Sequence, residues 1–122
     1  MPAANKQWVP DRRDMIWIDF NPQVGSEMKD EHPMLVLSSK AFNERTGLVI
    51  GLPMTHAASN ESNPFAIKYT GPKNEVGYVL THQPKSFDWR KRASRPHHWK
   101  QVSPTIFAEV CEGLNSIISI CG

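Results

Sequence analysis

Apolar and polar positions divide the chain into short elements. Over residues 14–20, "DMIWIDF", Ile16, Ile18 and Phe20 fall on one face of a strand and Met15, Trp17 and Asp19 on the other. Asn21-Pro22 ends it. The connection that follows, 21–33, is polar and charged and about twice the ordinary length, and connections of this kind often carry function. Residues 34–38 are apolar enough for a buried strand, entered through Pro33. Residues 39–46, "SKAFNERT", read as a short helix with a serine cap, and Gly47 can take the left-handed conformation after its end. A third strand is predicted over 48–54, with Pro53 near an edge. "THAASNESNP" is a polar loop, 65–69 a strand, 70–74 a turn and 77–82 another strand. Ser103-Pro104 opens a helix, serine as cap and proline at the first helical position. Ile106, Phe107, Val110, Leu114, Ile117 and Ile118 then recur at steps of one, three or four, an apolar stripe expected to lie in the core. Five or more short strands and a terminal helix predict a mainly β, α+β domain: a small curled antiparallel sheet with helices packed on it.

The 122 residues, 39% of them apolar, suit one domain with one modest core. Residues 1–8 are expected to form a flexible extension to it. No window approaches the ~18 apolar residues of a membrane span. Met1 to Lys6 contains no apolar core of a secretory signal. Cys111 and Cys121 match no zinc spacing and make no disulfide framework, so two reduced cytoplasmic thiols are expected.

Charge changes the picture more. The formal net charge is only +2. Residues 85–100, "KSFDWRKRASRPHHWK", hold six Lys/Arg and one Asp, a local +5, against eight Lys/Arg and eleven Asp/Glu elsewhere. Such a block suits a polyanion, because each cation beside a phosphate releases condensed counterions. His97 and His98 add to it when protonated, and Trp89 and Trp99 are candidates for stacking on bases. The plainer reading is a solvated loop with its tryptophans anchored in the core. Adjacent histidines chelate poorly and no further ligand follows at suitable spacing, so no metal site is expected there.

Several segments together resemble the MazF/PemK family of toxin endoribonucleases. "VPDRRDMIWIDFNPQVGSE" (9–27) is similar to the family's opening strand and its Gly-Ser-Glu loop. "HPMLVLSSKAFNERTGLVIGLPMT" (32–55) is similar to its second strand, short helix and Pro-x-Thr strand end. "NPFAI" and "GYVLTHQPKSFDWRKR" are similar to its later strands and basic turn. The resemblance runs in family order over most of the chain. It implies a small SH3-like barrel of the CcdB/PemK type with a short helix and a C-terminal helix. It implies a cytoplasmic homodimer that cuts single-stranded RNA or mRNA with no metal or other cofactor. It also implies a cognate antitoxin that wraps the toxin and blocks the RNA groove.

Cutting RNA with side chains alone requires a base for the 2′-hydroxyl proton, a donor for charge on the pentavalent phosphorus and an acid for the departing 5′-oxygen. The family places a Glu, an Arg and a Thr around its groove. By resemblance the Glu is Glu27 and the Thr is Thr55, but the Arg position holds His32. A second departure puts His82 where an Asp commonly precedes the family's Gln, here Gln83. Two groove positions have thus become imidazoles, the side chain that changes charge between pH 5 and 8. The expectation is an acid–base pair, His32 and His82, with Glu27 orienting one ring and Thr55 bonding a phosphate oxygen. His56, beside Thr55, is a rival for either role. The bland alternatives are His32 capping its loop and His82 as an ordinary edge-strand residue. Pro33 holds His32 extended, and Asp30 and Glu31 are expected to favour its charged form. Lys85, Arg90, Lys91, Arg92, Arg95, His56 and Gln83 are the expected RNA contacts. Phe20 is assigned to the core, since it and Trp17 cannot both reach a groove. The competing function is a same-fold interaction protein, a gyrase poison or a catalytically weak RNA binder. The gyrase poison would need an aromatic-rich tail, and "NSIISICG" contains no Trp.

Overall fold

Glu31–Val36 (β2) lies between Asp14–Asp19 (β1) and Leu48–Thr55 (β3) in a computed structural model that describes residues 8–20 and 31–119. Ala66–Thr70 (β4), Val76–Leu80 (β5), Lys85–Asp88 (β6) and Arg95–Gln101 (β7) complete the sheet. The order is β4-β5-β3-β2-β1-β7, with β6 also paired to β3, and every pairing is antiparallel. Lys40–Thr46 (α1) bridges β2 and β3, and Pro104–Ile117 (α2) closes the described chain. The result is a curled half-barrel with two helices.

Period-2 alternation gives each face of the sheet its own core. Met15, Leu35, Leu52, Met54, Val79 and Val110 are buried together on the face that α2 covers. Ile16, Ile18, Met34, Val36, Val49 and Trp89 are buried on the other. Gly51 sits where the β3 backbone passes close to β2. A Cβ there would lie 2.2 Å from the Leu35 carbonyl oxygen, so only glycine lets β2 and β3 pair at this point.

Local rules set the helices. Ser39 caps α1 by accepting from the Phe42 amide at 3.3 Å, and Gly47 ends it at φ 77°. Ser103 accepts from the Ile106 amide at 3.1 Å, with Pro104 in the first turn of α2. Asn43 is fully buried and fully bonded. Its amide nitrogen donates to the carbonyls of Pro10 (2.8 Å) and Ser38 (3.2 Å), and its Oδ1 accepts from the Ser38 hydroxyl at 2.6 Å. Its backbone carbonyl accepts from the Trp89 indole at 2.8 Å. One residue thereby ties the N-terminal segment, α1 and the basic turn together.

The structure corrects the sequence reading at several points. β2 starts at Glu31, so His32 and Pro33 lie in the strand. The proline is tolerated because pairing with β3 begins only at Met34, where an N–H is again available. β5 stops at Leu80. The Thr81 amide and hydroxyl both donate to the Phe65 carbonyl, at 3.1 and 2.6 Å, which turns the chain and leaves His82 outside the strand. The basic segment is no simple loop but contains β6 and β7. The apolar stripe of α2 is core only in part: Val110 is fully buried, but Ile117 and Ile118 are 40% and 43% exposed, because the last turn passes beyond the buried cluster. Trp89 is anchored in the core, with its indole N–H spent on Asn43, so it cannot stack on a base. Of the expected extension, only Trp8 is described, and it packs edge-on against Trp89 at 5.9 Å. Glu27, Asp30 and Cys121 lie outside the described residues.

Candidate active site

Register and alternation together assemble a polar row across the sheet. Met34 pairs with Pro53, so the two share a face. Two residues on, toward the open end of that ladder, His32 on β2 and Thr55 on β3 occupy the same face. Ile18 pairs with His32, Thr55 with Tyr78, and Tyr78 with Lys68. The row therefore reads Ile18, His32, Thr55, Tyr78, Lys68 across five adjacent strands. Lys85, paired with Gly51, projects on the same face.

His32 is exposed, its ring edge-on to Phe20 at 5.5 Å. Phe20 is partly buried against Phe87 at 5.0 Å, so it is both a core residue and the wall behind His32. The Thr55 hydroxyl oxygen accepts from the Ala57 amide at 3.1 Å, which fixes the side chain and leaves its proton to donate. Glu31, the chain neighbour of His32, is exposed. It points to the opposite face of β2 and forms an ion pair with Arg95 at 2.9 Å.

The remaining histidines separate by face. His82 lies on the turn after β5, its ring tilted against Phe65 at 5.5 Å and its Nε2 3.3 Å from the Gln83 amide nitrogen. β3 stands between the strands that lead to His32 and His82. His56 follows Thr55 but turns to the other side, where its Nδ1–H donates to the Val76 carbonyl at 2.8 Å and its ring meets Trp99 edge-on. That geometry assigns the Nδ1–H tautomer. His97 is 5% exposed and stacked flat between Trp17 (4.6 Å) and His98 (4.3 Å), with Nδ1 accepting from the Trp99 amide at 3.0 Å. Burial, then the neighbouring His98, Arg95 and His56, lowers its pKa from 6.5 to about 4. It therefore stays neutral near neutral pH and adds nothing to the basic patch, contrary to the expectation from sequence. Among the described residues no group of three or more His, Cys, Asp or Glu side chains gathers to hold a metal.

The basic side chains divide by how they are held. Arg90 donates to the Glu44 carbonyl at 3.0 Å and lies over Trp89. Arg92 donates to the Asp19 carbonyl at 3.0 Å and lies over Phe87 at 4.3 Å. Arg95 joins Glu31 and lies over Trp17 at 5.5 Å. These arginines brace the turn as well as charging it. Lys85, Lys91 and Gln83 are exposed.

Sequence reasoning missed Tyr78 and Glu61. Glu61 belongs to a 3-10 turn, Ala58–Ser62, inside the segment read only as a polar loop. The Tyr78 hydroxyl donates to Glu61 Oε1 at 2.6 Å, and Lys68 Nζ lies 3.2 and 3.3 Å from its two oxygens. Tyr78 and then Lys68 hold the Glu61 carboxyl below its ordinary pKa, and the same bond raises that of Tyr78. Period 2 along β5 places Tyr78 and Leu80 on one face, but nothing local to Glu61 reveals that its turn folds back over β4 and β5.

The fold is a curled antiparallel half-barrel that carries an imidazole and a hydroxyl on one face, with Lys85 of the basic segment on that same face. The family model for PemK-like, MazF-like toxins of type II toxin–antitoxin systems matches residues 11–118. Endoribonuclease toxin MazF of Escherichia coli K12 is 36% identical over 88 residues, 72% of this chain and 77% of that protein. Endoribonuclease PemK of Escherichia coli is 28% identical over 110 residues, 88% of this chain and 81% of that one. The crystal structure of MazE-MazF (Form-II) from Deinococcus radiodurans superposes with a TM-score of 0.82 at 32% identity, covering 93% of this chain and 99% of that one. The chain belongs to the PemK-like, MazF-like toxin family of type II toxin–antitoxin systems.

Proposed function

We propose that this toxin is an endoribonuclease that cuts single-stranded RNA, mRNA included, by metal-independent transesterification. One imidazole takes the 2′-hydroxyl proton, and the 2′-oxygen attacks the adjacent phosphorus. The bond to the 5′-oxygen breaks, and a protonated imidazole returns a proton to it. The ends are a 2′,3′-cyclic phosphate and a 5′-hydroxyl. Thr55 donates to a phosphate oxygen as charge develops there. His32 stands in the role that family members give to an arginine and can both carry charge and move a proton. His82 is the second imidazole, approaching from the far side of β3, and Glu27 orients one ring. His56 is the weaker candidate, because it faces away from Thr55.

The observation that carries this reading is the shared face of His32 and Thr55 within the polar row, with Lys85 on the same face. Lys85, Arg90, Lys91, Arg92, Arg95 and Gln83 contact the RNA strand. A cognate antitoxin covers the same face, in keeping with the MazE-MazF complexes among its structural relatives. The working form is a cytoplasmic homodimer. No described helix is long and apolar enough to cross a membrane.

The test is incubation of the purified chain with a long single-stranded RNA in the presence of a chelator. Cuts at a recurring short motif are expected. Intact RNA would refute the proposal and favour a same-fold protein that acts by binding alone.

A further inference from the structure

The polar row continues past the proposed chemistry. Beyond Thr55 it runs to Tyr78 and Lys68, and the carboxylate of Glu61 spans these two side chains. Tyr78 pairs directly with Thr55 and Lys68 with Tyr78, so this carboxylate is held by the two strands next to Thr55 in the row. An anion beside a polyanion's path needs a reason, because it repels phosphate. Here it is built in from two sides. Tyr78, only 5% exposed, donates its hydroxyl to Oε1 from below, and Lys68 compensates the charge from the flank. The carboxylate itself faces outward, with 61% of the side chain exposed. A carboxylate offers about four acceptor sites, and its present partners leave some of them open. The group is therefore fixed, ionised and purely an acceptor.

We infer that Glu61 is a specificity-determining residue, whose carboxylate reads the exocyclic amino group of an unpaired nucleobase next to the scissile phosphate. Adenine, cytosine and guanine carry such an amino group and uracil does not. Splayed single-stranded bases are read on these edges, and a carboxylate can only accept from them. Tyr78 acts as the positioning residue for Glu61. The inference rests on the RNA-cutting reading above.

The experiment maps every cut made in one long mixed-sequence RNA by the wild type, Glu61→Gln and Tyr78→Phe. The wild type is expected to favour an amino-bearing base over uracil at one position flanking the cut. Glu61→Gln, which keeps the shape but adds a donor, should erase that preference by about tenfold while the other motif positions persist. Tyr78→Phe should weaken it less, since the ring and its packing remain. An unchanged motif in Glu61→Gln, an equal loss of cutting at every site, or a wild type that favours no amino-bearing base beside the cut would overturn the inference. A wild type that cuts no RNA would instead sink the underlying function.

Discussion

His32 and Thr55 share one face at the open end of the β2–β3 ladder, two residues beyond the Met34–Pro53 pair. β2 carries the imidazole beside Phe20, on the face that also carries Thr55. Replacing His32 with Ala should lower kcat/KM by about 10²–10⁴, the usual contribution of a positioned acid or base. Thermal stability should hardly move, because the side chain is exposed. Arginine at this position restores charge but does not titrate in the neutral range. His32→Arg should therefore keep phosphate binding but not proton transfer, leaving kcat/KM below wild type. Activity of the alanine variant within a few-fold of wild type would remove His32 from the chemistry.

His97 gives the fold its own pH dependence. Its folded pKa of about 4 lies below the ordinary 6.5, so the unfolded chain takes up the proton first. Stability is full above about pH 6.5, falls as pH drops toward 4 and levels off below that. The loss reaches roughly 3 kcal/mol, because each pH unit between the two values is worth ~1.4 kcal/mol. His97→Gln keeps an acceptor for the Trp99 amide but cannot be protonated. Urea unfolding at pH 7 and pH 5 should show a smaller fall for the variant than for the wild type. Equal falls would mean that His97 is not held neutral by burial.

Asn43 should be a stability residue with no direct part in cutting. Asn43→Ala strips buried partners from the Ser38 hydroxyl and from the carbonyls of Pro10 and Ser38. A loss of about 2–4 kcal/mol is expected, read as a lower denaturant midpoint at unchanged slope. A loss under ~1 kcal/mol would show that water replaces these bonds easily.

The elements that the sequence reveals are those governed by local rules. Ser39 and Gly47 bound α1, Ser103-Pro104 opens α2, and alternation in 14–20 separates Ile16 and Ile18 from Met15 and Trp17. β7 is hidden because its inward residues are His97 and Trp99, within a charged and prolyl pattern that reads as loop. It is also irregular: four residues, 97–100, oppose Met15 alone, and Lys100 takes φ 69°. Such a bulge follows from pairing at a sheet edge, which no window of sequence contains. His32 and Thr55 come from resemblance to a family, whereas the basic turn already shows in the charge of residues 85–100. Their placement on one face requires the register between β2 and β3. Glu61 needs tertiary structure altogether, because its partners are supplied by β4 and β5.

The lysines and arginines of the basic turn should behave differently. Lys85→Ala and Lys91→Ala should weaken binding to a 2′-O-methylated RNA uniformly across sequences, and each should reduce the salt slope by ~0.7. Arg92→Ala should also lower the melting temperature, because its guanidinium braces Asp19 and covers Phe87. A salt slope unchanged by both lysine substitutions would place the RNA path elsewhere.

The proposed chemistry makes the ribose 2′-oxygen the nucleophile. The mass of the fragments released from a defined single-stranded RNA, with chelator present, reads this out. One fragment should carry a 2′,3′-cyclic phosphate and the other a 5′-hydroxyl, and no cut should occur when the scissile ribose is 2′-deoxy. Fragments with 5′-phosphate ends, or cleavage of the 2′-deoxy substrate, would show that a different nucleophile breaks the chain.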